Sequence, residues 1–512
     1  MAEEGLATKE KELPEDLSLA FVKKRLEAIT RLNIFPYHAP VREIMVSPAY
    51  ACRAECSVRE VAKEMARRRI SSAVVVDDRR RVLGIITERD ILTKVVSREM
   101  VDPSRTPAAA IMSAPAITIS PKDKVYRALS LLARYGIKHL PVVEGGELVG
   151  IVTMRHLLRL THQEPLLIIG KIELARSAAD LAEVKADLPA MVANRLSAGI
   201  SAVDTMTMLS LIHQDIHRRA FELALEEMGK EPPVPYCLFL TGSHGRGESL
   251  LAPDQDHGLI IADYPDARYE EIDGYFRELT TRFGKILAEV GYPRCPGYIM
   301  SENPLWRKRY QEWLKQFLIW LELSTYHTVR YLTLVFDASP LLGELPLFYG
   351  LKRYFLSKIQ EYHNLIRQMF EEEAGHKVPL GMFNKFIVER EGPHKGELHL
   401  KRSGLIFVVE AARVLCLKEG IGEVSTLDRI RALKERHIIS AQDAEYAEHA
   451  FHILVHYALQ TQVQHWQKGE PISYWLNPQE LSAHDRDMLR YAFQAVKRLK
   501  DLVESAFGYL IL

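Results

Sequence analysis

Apolar residues recur in two rhythms along this 512-residue chain, and the change from one rhythm to the other divides it. Between residues 41 and 163, helical stretches alternate with β-branched runs. Val58, Val61, Ala62, Met65 and Ala66 fall on one helix face, and Val125, Ala128, Leu129 and Leu132 repeat the spacing further on. Each helix leads to a strand (Ala73 to Val76; Leu140 to Val143), a polar turn, a second strand and another helix. VREIMVSP and AAAIMSAP precede the two copies, and VLGIITERDIL and LVGIVTMRHLL close them. One β-α-β-β-α unit is therefore expected twice. Residues 164–230 lack strand alternation; Leu181, Val184, Leu188, Met191 and Val192 predict a layer of two or three helices. EPPVPY at 231–236 ends that layer, because proline removes an amide donor and biases its predecessor to extended geometry. Strands are expected at Cys237 to Leu240, around Leu259 to Ile261, and over 329–337, where Leu332, Leu334 and Phe336 alternate. From 347 onward the period is helical. Leu351, Phe355, Ile359, Tyr362, Ile366 and Met369 form one stripe, and Leu489, Phe493, Val496, Leu499 and Val503 another.

These rhythms predict an α+β multidomain chain. Its expected parts are an N-terminal helical extension (1–40), the doubled unit (41–163), a helical linker (164–230), a mixed core (231–346) and a C-terminal helical domain (347–512). The length agrees, since about three or four domains are natural for such a chain. Acidic and basic residues balance at 67 each, and the pI is near 7.3, which disfavours nucleic acid as a partner. Five scattered cysteines (52, 56, 237, 295 and 416) make no disulfide framework and suit a reducing cytoplasm. Cys52 and Cys56 read as two ordinary thiols rather than a zinc site. No apolar run reaches the roughly 18 residues of a membrane span, and the N-terminus is charged, so a soluble, cytoplasmic protein is expected.

The densest chemistry lies in TGSHGRGESLLAPDQDHGLII, residues 241–261. A strand ends in Gly242-Ser243, and Asp254 and Asp256 open the next apolar run. Side chains two apart on a strand point the same way, so both carboxylates face one side. Two hard oxygen ligands there suit Mg²⁺, which takes its remaining ligands from water and substrate phosphates. A glycine turn lets backbone N–H groups approach a triphosphate. A lone D-x-D is more often a solvated turn, and the weight rests on the joint pattern.

That joint pattern resembles the signature of the nucleotidyltransferase superfamily with the polymerase-β-type core. It is closest to the branch containing the PII-protein uridylyltransferases, whose loop also reads Gly-Arg-x-Glu, as at Gly245, Arg246 and Glu248. The resemblance implies that Asp254 and Asp256 hold Mg²⁺ against an NTP (UTP or ATP) whose phosphate oxygens Gly242 and Ser243 cradle. Such sites usually take a third carboxylate from a later strand. Asp337, in the F-D-x-x-P segment of Phe336 and Pro340, offers it, with a loop cap as the alternative role. Arg246 either offsets phosphate charge or braces the loop through Glu248. The segment 295–317 also resembles the branch and reads as a substrate-side loop and helix without assignable chemistry. Trp306 and Trp313 within it read as core. The tail, LHLKRSGLIFVVEAARVLCLKEGI included, resembles the branch's helical substrate-binding domain, with Lys401 and Arg413 as conceivable phosphate contacts.

The doubled unit looks like a pair of cystathionine β-synthase-type (CBS) domains, which are similar to sensors of adenine nucleotides. In that family a G-h-x-T-x-x-D segment sets a Thr near phosphate and an Asp on the ribose. Gly84, Thr87 and Asp90 match; the second copy keeps Gly150 and Thr153 but carries His156 in place of the Asp. An imidazole cannot accept two ribose hydrogen bonds, so AMP, ADP or ATP is expected at the Asp90 cleft. A plate that only makes a homodimer is the bland alternative. Many relatives carry a cyclic-nucleotide module ahead of the pair, for which about 40 residues are too few. The resemblance implies transfer of UMP or AMP to a protein acceptor such as a PII-like regulator, controlled by adenine nucleotide. The rival reading is a non-catalytic adenine-nucleotide sensor that signals through a vestigial transferase fold.

Overall fold

The computed structural model describes residues 40–98, 102–154, 164–374 and 378–507; the expected N-terminal extension and His156 lie outside the described residues. The chain divides into two compact units, the first ending at Leu174 and the second running on from Ala175.

In the first unit, β1 (Ala51–Arg53) lies parallel to β2 (Ser72–Val76), which pairs antiparallel with β3 (Val82–Thr87). The second copy supplies β4 (His139–Glu144) antiparallel to β5 (Glu147–Thr153). The expected helices form as Val58–Arg68 and Val125–Arg134 and bury the predicted apolar positions, Val58, Val61, Met65 and Val125, Ala128, Leu129, Leu132. A Ser57–Glu60 capping box starts the first.

The copies are not self-contained. Val46 exchanges backbone hydrogen bonds with Ile151 at 2.9 and 3.0 Å, and Ser113 does so with Ile85 at 2.8 and 3.0 Å. The segment ahead of each copy thus straps the other. This explains the two glycines of the repeat: a Cβ on Gly84 would stand 2.7 Å from Met112 Sδ, and one on Gly150 2.7 Å from Met45 Sδ. Only glycine lets the strap cross.

Of the expected helical layer, Glu164–Leu174 belongs to the first unit, while Ala178–Ser197 and Ala202–Met228 belong to the second. The second unit is built on a four-stranded sheet of β6 (Tyr236–Leu240), β7 (His257–Ile261), β8 (Arg307–Arg309) and β9 (Ser339–Gly343), in the order β8-β7-β6-β9. β6 is antiparallel to both β7 and β9, and β8 is parallel to β7. Gly258 is flat because the Phe239 ring lies over it, 2.3 Å from where a Cβ would stand. Trp306 and Trp313 are buried core, their rings 5.9 Å apart.

The strand expected over 329–337 is a helix, Tyr326–Phe336. Alternating Leu332, Leu334 and Phe336 suggested period two, yet the buried set Val329, Leu332, Thr333 and Phe336 has helical spacing. A Thr325–Thr328 capping box starts it. The unit also contains the helices Tyr269–Val290, Tyr310–Leu323, Leu345–Ile359, His363–Ala374, Ile406–Lys418, Thr426–Glu435, Ala441–Lys468 and Ala483–Ala506. The predicted stripe of Leu489, Phe493, Val496, Leu499 and Val503 is buried throughout.

Candidate active site

β6 and β7 place the candidate residues by register. Leu240 pairs with His257, so the chain leaving β6 and the chain entering β7 meet at one sheet edge. The Thr241 amide donates to the Asp256 carbonyl at 3.1 Å, which sets Gly242 beside the D-x-D segment. Gly242–Arg246 forms a single helical turn. Gly242 adopts φ +59°, and a Cβ on it would stand 3.0 Å from Asp256 Oδ2. Glycine is needed there for both backbone and space.

Asp254 and Asp256 do face one another. With Cys295 they form a group whose ligand atoms lie within 4.8 Å of each other. Asp256 Oδ1 is buried without a hydrogen-bond partner. Burial and the neighbouring Asp254 carboxylate push Asp256 up to about 7, against the nearby Cys295 thiol and the charges of Lys401 and Arg330. Two adjacent carboxylates, one with a buried oxygen that has no hydrogen-bond partner, offer the hard donors that a divalent cation takes. The two carboxylate donors fit Mg²⁺.

Asp337 does not join this group. Its carboxylate is fully buried and enclosed by three guanidiniums. Arg413 Nε donates to it at 2.8 Å and Arg429 Nη1 at 2.9 Å, and Arg246 makes a shorter contact. Burial alone would raise its pKa, but Arg413, Arg246 and Arg429 hold it well below the usual carboxylate range. The expected third ligand is thus engaged by arginines and is not grouped with the carboxylate pair. Its backbone also explains Gly245, where a Cβ would lie 2.1 Å from the Asp337 carbonyl oxygen.

Arg246 takes the brace role. Its Nε donates to Glu248 at 2.6 Å, and Glu248 also accepts from the Thr426 amide at 2.6 Å. Arg413, a conceivable phosphate contact, is buried against Asp337 and Glu410, whereas Lys401 is exposed. Ser243 Oγ lies 3.3 Å from Ser249 Oγ.

Four buried histidines under the loop carried no signal in the apolar pattern. His244 Nε2 meets the Asp254 carbonyl at 3.1 Å, and His213 bonds to the Leu250 carbonyl at 2.9 Å and the Tyr292 hydroxyl at 2.6 Å. His217 and His257 are fully buried beside them. Only the spacing of His213 and His217 on one helix face hinted at a cluster.

In the first unit Thr87 and Asp90 form a capping box, with Thr87 Oγ1 donating to Asp90 Oδ2 at 2.6 Å. Asp90 Oδ1 receives Ser113 Oγ at 3.1 Å and Lys94 Nζ at 2.7 Å. Both carboxylate oxygens are engaged. Thr153 ends β5 opposite His139.

Comparison with known proteins follows the same order along the chain. Residues 41–97 and 108–162 match the CBS domain, 186–327 the family described as "Putative nucleotidyltransferase DUF294", and 363–507 the "Putative nucleotidyltransferase substrate binding domain". An uncharacterized protein of Methanopyrus kandleri is 41% identical over 110 residues, 21% of this chain and 54% of its own. The chain thus spans about half the length of that relative. An uncharacterized 17.7 kDa protein of Acidianus ambivalens is 35% identical over 120 residues, 23% of this chain and 71% of its own. The crystallised CBS domain of a Sphaerobacter thermophilus membrane protein is 34% identical, over 27% of this chain and 96% of that one, with a TM-score of 0.22. No described helix is long and apolar enough to cross a membrane. A CBS pair, a nucleotidyltransferase-like domain and the domain described as its substrate-binding partner follow one another in the expected sequence, and the chain belongs to the family of CBS-domain-containing, nucleotidyltransferase-like proteins.

Proposed function

We propose that this protein is a Mg²⁺-dependent nucleotidyltransferase that moves UMP or AMP from UTP or ATP to a protein acceptor of the PII-like kind. The observation that carries it is the pairing of Asp254 and Asp256, with Asp256 Oδ1 buried and unpartnered, beside a glycine whose missing Cβ leaves the approach open. Mg²⁺ held there would neutralise triphosphate charge and stabilise the leaving pyrophosphate. Gly242 and Ser243 would meet the phosphate oxygens, and Lys401 and Arg330, the cations that act on Asp256, would balance them. An acceptor hydroxyl attacks the α-phosphorus, the bond to the bridging oxygen breaks, pyrophosphate leaves and the hydroxyl proton passes to solvent. Arg246, Glu248 and Asp337 serve by holding the loop rigid.

The CBS pair would take AMP, ADP or ATP at the Asp90 cleft, with Thr87 and Thr153 towards phosphate. Asp90 must then exchange Ser113 and Lys94 for ribose hydroxyls, which would make its site a switch between two bonded states. A homodimer through the pair and a cytoplasmic setting belong to the same proposal.

The withdrawal of Asp337 from the carboxylate pair favours a second reading, a non-catalytic adenine-nucleotide sensor. Incubation with each labelled NTP, Mg²⁺ and host lysate separates them. A labelled acceptor band that needs Mg²⁺ supports the enzyme; no band with any NTP supports the sensor.

A further inference from the structure

Cys295 belongs to a segment that the proposed chemistry leaves unused, yet the backbone delivers it to the carboxylate pair. The Gln255 amide donates to the Pro293 carbonyl at 3.0 Å, and the His257 amide to the Ile299 carbonyl at 3.1 Å. Gln255 Nε2 donates to the Tyr292 carbonyl at 2.9 Å. Residues 293–299 therefore run alongside 255–257, held at both ends. The Tyr298 amide closes the turn on the Cys295 carbonyl at 2.9 Å. The thiol is buried, and its sulfur lies within 4.8 Å of carboxylate oxygens of both Asp254 and Asp256.

We propose that Cys295 is a third protein ligand of this metal centre, and that the centre therefore takes thiophilic divalent cations of the Zn²⁺, Co²⁺ and Cd²⁺ class in competition with Mg²⁺. Two carboxylates alone form a hard, oxygen-only site that suits Mg²⁺. A thiolate at the same distance changes the selection, because soft sulfur ligands favour Zn²⁺ and its neighbours. On coordination the Sγ–H bond breaks, the Sγ–metal bond forms and the proton passes to solvent, with no change in oxidation state. A second, independent feature points at an ion: Asp256 Oδ1 is buried and bonds to nothing, while its other oxygen lies against Gly242. Mg²⁺ leaves the thiol protonated beside the carboxylates, whereas a thiophilic ion recruits it. Such an ion occupies the position that a catalytic Mg²⁺ needs, so zinc becomes an inhibitor of transfer.

The proposal rests on Asp254 and Asp256 forming a metal site, and the test separates the two. Cd²⁺ is titrated into the full chain while the sulfur-to-cadmium charge-transfer absorption is followed in the ultraviolet, with wild type, Cys295→Ser and Asp254→Asn/Asp256→Asn compared. Cys295→Ser is nearly isosteric and keeps a polar group at the position; Cys295→Ala serves if it misfolds. The expected result is a wild-type band that Mg²⁺ suppresses. Cys295→Ser should lose that band and bind Cd²⁺ roughly tenfold or more weakly, since even partners of metal ligands cost 10–100-fold when removed, while its Mg²⁺ affinity stays unchanged. Any band from Cys52 and Cys56 survives in Cys295→Ser and is subtracted. A Cys295→Ser protein with the full Mg²⁺-suppressible band overturns the thiol assignment. So does wild type that binds Mg²⁺ without any such band, which leaves the carboxylate site standing. Mg²⁺ and Cd²⁺ binding undiminished in the double Asn variant overturns the metal site itself.

Discussion

A carboxylate's role is decided by what surrounds it, and the three aspartates of the motif divide on that basis. Asp256 has an orphan oxygen and a raised pKa; Asp337 has three guanidiniums and a lowered one. Asp337→Asn keeps the volume but leaves buried positive charge uncompensated, and breaking a buried pair this way costs about 3–5 kcal/mol. Denaturant unfolding should show that loss in the second unit. Unchanged stability combined with abolished transfer would return Asp337 to the metal centre. Gly245→Ala should also destabilise strongly, since its Cβ would overlap the Asp337 carbonyl. At this scale Asp254, Asp256 and Gly242 were legible because a short motif carried them within one hairpin. Asp337's partners were not: Arg413 and Arg429 lie far along the chain, and no local pattern pairs an aspartate with arginines brought in by folding. Cys295 was read as one scattered thiol for the same reason.

Between elements, the loop 241–256 is gripped from two sides. Helix Ala202–Met228 bonds it through Gln214 to the His244 carbonyl at 2.9 Å, His213 to Leu250, and Ser210 to the Ser249 amide at 3.2 Å. The helix Ala441–Lys468 reaches it through Gln462, which accepts the Leu251 amide at 3.0 Å. The first grip depends on neutral histidines. Burial lowers His213 to about 3 and His217 to about 4. An unfolded chain binds protons on both below its ordinary pKa of about 6.5, so this stability is present above that pH and lost as pH falls through the folded values of about 4 and about 3. Near pH 5 the pair contributes uptake of about two protons on unfolding, a slope of roughly 2.7 kcal/mol per pH unit. His217→Gln should flatten the slope of unfolding free energy against pH by about half of that amount. An unaltered slope would show that His217 does not titrate between the two states. Amphipathic stripes and capping boxes made most helices legible. Helix Tyr326–Phe336 was misread because Leu332 and Phe336 satisfy either period, and the local capping box decides between them.

At the scale of the whole molecule, the order of parts was the most legible feature, since a repeat and a motif each mark a unit. The exchange of straps between the CBS copies was not, because it pairs Val46 with Ile151 across the whole repeat. If adenine nucleotide in the first unit controls the second, its effect equals its differential affinity for two arrangements. Typical couplings of about 1–3 kcal/mol correspond to a roughly 5- to 150-fold change in NTP affinity. NTP must change adenine-nucleotide affinity by the same factor. Calorimetry on the full chain checks both directions, and a fragment starting at Ala175 that behaves identically to the full chain would leave the pair without a regulatory role. The central claim is the metal-dependent transfer itself, and it stands or falls on Asp254→Asn/Asp256→Asn compared with wild type. The variant hardly changes volume and removes the two anionic ligands. Labelled-NTP transfer under Mg²⁺ should collapse in the variant while its unfolding midpoint stays within the range of the wild type. Equal transfer by both proteins would contradict the account.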